Sequence, residues 1–272
     1  MAGSSSESTA MRIFLINLDR DADRLDYMNG ELAKRGFSAE RIPAVYGLDM
    51  PQRLKPFFLD EQAEIDSAMN RGEVGCYASH LEIMHRIVED GIDEPVCVME
   101  DDLEFHDGFA AMAENHTKLP GDWEIVRLSN PPKAAVKPIA FLSDGLQVVK
   151  YWRVPNNTGC YLINRSGAEK FLSYRTLRKR PVDEDLRRPW EHGLKTYGLL
   201  PAPVTSNIFD STLTAIGGDR SLPGRKRFKD AGGSPFSAWT YRISEFGLTT
   251  SLIAPIKTML GRRRKGQVPF LK

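Results

Sequence analysis

The sequence predicts a single α/β domain, and three observations carry that expectation. A short, nearly all-apolar run, Met11 to Leu18, is followed by an amphipathic helix pattern and then by a second short apolar run, which is a β-α-β opening. A second helix pattern, Cys76 to Glu89, leads into the apolar run Val96 to Met99. That run ends in three carboxylates, Glu100, Asp101 and Asp102, and in open α/β sheets ligands bind where strands end.

The elements follow in order. Met11–Leu18 suits a strand buried on both faces, and Asp19-Arg20-Asp21 ends it. Leu25, Met28 and Leu32 mark one face of the first helix, closed by Gly36. Arg41–Val45 reads as the second strand. Pro51–Arg71 is less regular, with room for a short helix. Gly72-Glu-Val-Gly75 then leads into the second helix, whose apolar face is Tyr77, Leu81, Met84 and Val88. Further strands are expected at 123–128, 147–152 and 159–163, with a loop at 131–145 and a helix from Arg165 through Leu172. No internal repeat is visible.

At 272 residues the chain can bury a sizeable core. Its net charge of +1 conceals an asymmetry. Residues 1–215 carry 25 Lys and Arg against 33 Asp and Glu, whereas residues 216–272 carry 12 against 3. An acidic body with a basic extension, seeking anionic partners, is the expectation. Cys76, Cys97 and Cys160 lack metal-ligand spacing and read as free thiols in a reducing compartment. Residues 1–10 lack the basic and apolar segments of a signal peptide and read as a disordered leader.

Residues two apart in an extended strand share a face, so Glu100 and Asp102 can converge on one cation while Asp101 points elsewhere. Oxygen-only ligation suits Mg²⁺ or Mn²⁺. An acidic loop facing solvent is the plainer alternative. Arg20 and Arg24 are four apart and can share a helix face near an N-terminus that attracts phosphate, although taken alone a surface helix with local Asp/Arg pairs is the better explanation. Ser79 and His80 lie early in the second helix, with no nucleophile and carboxylate pair to suggest a hydrolase triad. Asn156 to Gly159 is a polar loop entering a strand, and Asp183-Glu184-Asp185 is an acidic cluster among arginines.

Taken in order, Ile-Asn-Leu-Asp-Arg (16–20) with Arg24, Gly-Glu-Val-Gly-Cys-Tyr-Ala-Ser-His (72–80), Val-Met-Glu-Asp-Asp (98–102), Thr-Gly-Cys-Tyr-Leu-Ile (158–163) and Pro-Val-Asp (181–183) resemble glycosyltransferase family 25. That family includes bacterial lipooligosaccharide galactosyltransferases and the collagen galactosyltransferases. The resemblance covers roughly residues 11–210. It implies a GT-A-like domain with a mixed, mostly parallel central sheet flanked by helices. It also implies inverting, metal-dependent transfer of a hexose, galactose first, from a UDP-sugar. Glu100 and Asp102 then occupy the metal motif, with Glu in place of the first Asp and Mn²⁺ or Mg²⁺ as the ion. Asn17, Asp19, Arg20, Arg24, Ser79 and His80 fall on the donor side. Inversion needs a general base, for which Asp183 is the first candidate, Asp185 the second and Asp101 the third.

The expected organisation is a leader at 1–10, a transferase domain at 11–215 and a basic, partly amphipathic extension at 216–272. In the extension, Trp239, Ile243 and Phe246 have helical spacing, and Leu252, Ile253, Ile256 and Leu260 form a second apolar stripe before Arg262, Arg263, Arg264 and Lys265. Two readings fit: a helix on an anionic membrane surface, or a helix packed on the body. The expected partners are a UDP-sugar and a glycan or glycolipid acceptor of lipopolysaccharide type, with no nucleic acid. The expected location is cytoplasmic, at the inner face of the membrane. Two rival functions remain: a nucleotide-sugar-binding or membrane-docking protein without catalysis, and a metal-dependent phosphoesterase.

Overall fold

A computed structural model describes residues 11–65, 67–174, 177–206, 234–263 and 268–271, without the side chains of residues 262 and 263. The expected leader, much of the basic extension, and the Arg264 and Lys265 positions lie outside these residues.

The architecture is α/β, with an eight-stranded sheet in the order β2-β1-β3-β8-β5-β9-β7-β6. The strands are β1 (Arg12–Asn17), β2 (Glu40–Pro43), β3 (Val96–Met99), β5 (Ile125–Arg127), β6 (Val136–Ser143), β7 (Leu146–Tyr151), β8 (Cys160–Ile163) and β9 (Thr196–Leu200). Only β7 and β8 run against the other six. A two-stranded ribbon joins β4 (Leu103–Phe105) to β10 (Val204–Ser206).

Alternation along the all-apolar strands explains the layers. Phe14, Ile16, Val98 and Ile163 pack on one face against α2 (Arg71–Glu89) and α4 (Arg165–Ser173). Ile13, Leu15, Met99 and Leu162 pack on the other face against α1 (Ala22–Ala33) and α3 (Gly108–Asn115). Because β2 and β3 flank β1 on opposite sides, with α1 and α2 on opposite faces, the strand order reverses between β1 and β3. In open α/β sheets the strand ends beside such a reversal are where ligand crevices form.

Three expectations change. The second helix begins at Arg71 rather than Cys76. Asn70 Oδ1 accepts from Glu73 N and Glu73 Oε2 accepts from Asn70 N, each at 2.9 Å, a capping box that starts the helix ahead of the two glycines. Gly75 is needed for packing, since a Cβ there would fall 2.6 Å from the Val45 carbonyl oxygen. The expected loop at 131–145 contains β6, an outer strand paired with β7 through the two-residue turn Asp144-Gly145, where Gly145 has φ +75°. Exposure of much of β6 hid its pattern. Lastly, Arg20 precedes α1 instead of sharing its face with Arg24, and stacks over the Tyr46 ring.

Past the body, α5 (Val182–Leu186) and α6 (Pro189–His192) precede β9, and α7 (Pro235–Phe246) and α8 (Leu248–Arg263) follow β10. Helices α7 and α8 pack on the β6–β7 hairpin through Trp239, Phe246, Ala254 and Trp152, with Thr258 Oγ1 accepting from Ala135 N. Leu252, Ile256, Met259 and Leu260 nevertheless remain exposed.

Gly75→Ala is expected to destabilise the fold. Helix propensity favours Ala by about 1 kcal/mol, but overpacking against an immovable carbonyl costs about 1–3 kcal/mol or more. Urea unfolding should show a lower midpoint; an unchanged or higher midpoint would refute the close approach.

Candidate functional site

At the ends of β1 and β3 the structure brings together Asn17, Arg24 and Asp101, with Glu100, His80 and Thr158 beside them. Asn17 ends β1 and is buried. Its Nδ2 donates to Asp101 Oδ2 at 2.7 Å and to the Asp21 carbonyl at 2.9 Å, while its Oδ1 accepts from Arg41 Nε at 3.0 Å. Arg24, on α1, donates to Asp101 Oδ1 at 3.3 Å. Asp101 therefore turns toward β1 and joins its end to that of β3. Burial raises its pKa, and the Asn17 and Arg24 contacts oppose that rise. Asp19 lies at the rim, paired with Arg41.

Glu100 turns the other way. Its Oε1 accepts from Thr158 Oγ1 at 2.9 Å and lies 3.4 Å from His80 Nε2, while its backbone N–H donates to the Gly159 carbonyl at the start of β8. Burial pushes this carboxyl up, but the His80 and Thr158 contacts outweigh it and the net pKa is lowered. Glu100 is thus held ionised. His80 is wholly buried, with Nδ1 2.9 Å from the Tyr161 hydroxyl. Burial raises the Tyr161 pKa, keeping that hydroxyl protonated. Ser79 serves packing, since its Oγ accepts from Val45 N and donates to the Gly75 carbonyl. Asp102 follows Glu100 and is half-buried.

The residues offer two metal-type ligand sets that share Glu100. One is the expected pair of carboxylates, Glu100 and Asp102. The other is Cys76, His80 and Glu100, whose ligand atoms all lie within 4.8 Å of one another. Cys76 and His80 are one turn apart on α2. Nε2 of His80 cannot donate to Glu100 and bind an ion at the same time, so the second set requires the other histidine tautomer.

The two acids of the 183–185 cluster separate. Asp185 is 1% exposed, and accepts from the Tyr77 hydroxyl and from Arg180 Nε, each at 2.8 Å. It anchors α5 against α2. Asp183 is half-buried and accepts from the Glu184 backbone N–H at 2.8 Å. Burial first, and the nearby Glu184 second, push its pKa up to about 6. Asp183 and Glu100 feel each other's charge, and both feel Arg127.

Arg127 was absent from the sequence-derived candidates. It ends β5, cross-strand from Tyr161. Its signal is a charge closing an otherwise apolar strand, the same signal that the acidic triplet carries at the end of β3.

Comparison with known proteins bears on the family. The model of glycosyltransferase family 25 (LPS biosynthesis protein) matches residues 10–186. A glycosyltransferase 25 family member of Drosophila melanogaster is 31% identical over 190 residues, covering 64% of this chain and 30% of the relative. The Homo sapiens procollagen galactosyltransferase 2 is 28% identical over 193 residues, covering 64% and 29%. A probable inactive glycosyltransferase 25 family member 3 of Bos taurus is 30% identical over 198 residues, covering 64% and 31%. The chain thus spans less than a third of the length of these relatives.

Asp185→Ala is expected to cost about 1–3 kcal/mol, because it removes an acceptor from the buried Tyr77 hydroxyl and from Arg180, which keeps only Glu191. Asp183→Asn should change stability by less than about 1 kcal/mol. Thermal unfolding of the two variants checks this, and equal losses would contradict the division of roles.

Proposed function

Because the chain belongs to glycosyltransferase family 25, we propose that it moves a hexose, galactose first, from a UDP-sugar to a glycan acceptor of lipooligosaccharide type, with inversion. The observation that carries this reading is the crevice at the β1–β3 strand reversal, where Asn17 and Arg24 meet Asp101 and where Glu100 is held ionised beside it. The family name speaks of LPS biosynthesis and the human relative's name of galactose transfer, and both support the choice of substrates.

Sugar transfer places negative charge on the departing diphosphate and frees a proton from the acceptor hydroxyl. Asp183 takes that proton. Its pKa of about 6 keeps it ionised at neutral pH yet basic enough to accept. Asp185 is spent on Tyr77 and Arg180, and Asp101 on Asn17 and Arg24. Asp19 and Arg20 lie on the donor side of the crevice, with His80 beneath Glu100 and Ser79 packing behind it. The ionised, half-buried Glu100 and the adjacent Asp102 fit a hard divalent cation, and they would hold Mn²⁺ or Mg²⁺, which supplies charge stabilisation for the leaving group. A softer ion would instead select Cys76 and His80 with Glu100.

No described helix is long and apolar enough to cross a membrane. The exposed Leu252, Ile256, Met259 and Leu260 on α8 precede Arg262-Arg263-Arg264-Lys265 in the chain. This sequence of features supports docking on an anionic membrane surface at its cytoplasmic face, where a lipid-linked acceptor would lie. A second reading, nucleotide-sugar binding without transfer, draws on the Glu in place of the first Asp and on the bovine relative's name.

Asp183→Asn should lower kcat by about 10²–10⁴-fold with little change in UDP-galactose affinity. In the wild type, a base whose pKa is raised to about 6 is protonated below that pH. Turnover should therefore fall about tenfold per pH unit on the acid side of 6, and a flat profile down to pH 5 would exclude Asp183. Metal titration of turnover separates the ligand sets. Asp102→Asn should abolish Mn²⁺ activation and Cys76→Ser should leave it intact; the reverse pattern would move the ion to Cys76 and His80.

A further inference from the structure

Three arginines are the largest fully buried side chains: Arg127, Arg178 and Arg180. A buried guanidinium is costly unless its hydrogens find acceptors. Arg180 bonds Asp185 and Glu191. Arg178 donates to the carbonyl oxygens of Phe171 and Leu172 and is ringed by Phe57, Tyr77, Phe171 and Tyr174. Arg127 differs. It is 1% exposed, and Nε and both terminal nitrogens have no hydrogen-bond partner among the described residues.

The surroundings of Arg127 are built to hold it in place. The guanidinium carbon lies 5.9 Å from the centre of the Tyr161 ring. On the other side, the cross-strand neighbour is Gly198, where a Cβ would fall 1.7 Å from the Tyr151 hydroxyl. The missing side chain lets Tyr151 reach across β9. Burial pulls the Arg127 pKa down, whereas the charges of Asp183 and Glu100 work against that. Neither carboxylate closes a hydrogen bond with it. The side chain is therefore desolvated, short of acceptors and close enough to feel the charges of Asp183 and Glu100.

We infer that Arg127 is the anion-receiving group of this site, taking phosphate oxygens of a nucleoside diphosphate. Five N–H donors in a planar fork match two phosphate oxygens at once. Its place beside Glu100 and Asp183 puts that contact next to the carboxylates assigned to the metal and to the base. The inference rests on the nucleotide-sugar reading above and adds to it the residue that recognises the diphosphate.

Calorimetric titration with UDP and with UMP, in Mn²⁺, of the wild type, Arg127→Met and Arg127→Lys provides the test. The wild type should prefer UDP over UMP by about tenfold or more. Arg127→Met should lose that preference while melting at or above the wild-type temperature, because a buried charge without partners is removed. Arg127→Lys keeps the charge without the fork and should show an intermediate preference. It also serves as the second variant if Arg127→Met does not fold. An unchanged UDP:UMP ratio in either folded variant overturns the inference and leaves the nucleotide-sugar reading standing. A wild type that binds neither nucleotide overturns both.

Discussion

Like-charge repulsion at the end of β3 is the constraint on which the site depends. Two unit charges about 6 Å apart, at an effective dielectric near 20, repel by roughly 3 kcal/mol, and Glu100, Asp101 and Asp102 are consecutive. The fold relieves that repulsion by dividing the acids. Asp101 is drawn toward β1 by Asn17 and Arg24, and Glu100 toward β8 by Thr158 and His80. Each carboxylate thereby cross-links a different pair of strands. The crevice between β1 and β3 is thus bridged by polar contacts as well as by topology.

The same logic governs the second acidic segment. Helix α5 is only five residues long and would not persist alone. Arg180 and Tyr77 fix it through Asp185, which leaves Asp183 at the site with a raised pKa. One acid anchors the segment, and its neighbour Asp183 is the base proposed above. Arg127 is the charge that both Glu100 and Asp183 feel.

Much of this was legible in the sequence, for physical reasons. Strands buried on both faces are apolar throughout, so β1 and β3 announced themselves, and the carboxylates after β3 marked the candidate site. The motif order identified the family. What stayed hidden depended on contacts distant in sequence. Nothing local distinguishes Asp183 from Asp185, because Tyr77 is 108 residues from Asp185. The outer strand β6 lacks a buried face along much of its length. The Asn70–Glu73 capping box was readable, but Gly72 and Gly75 near the helix start masked it. Arg127 lay in plain view at the end of an apolar strand, yet only the structure shows that it lacks acceptors.

The central claim is that the strand-end crevice between β1 and β3 binds a nucleotide diphosphate. A crystal structure of the chain with UDP and Mn²⁺ tests it most directly. The account predicts the diphosphate in this crevice, the ion on Glu100 and Asp102, and a phosphate oxygen within hydrogen-bond distance of Arg127. A nucleotide bound elsewhere, with Arg127 still sealed and the carboxylates without an ion, would contradict it.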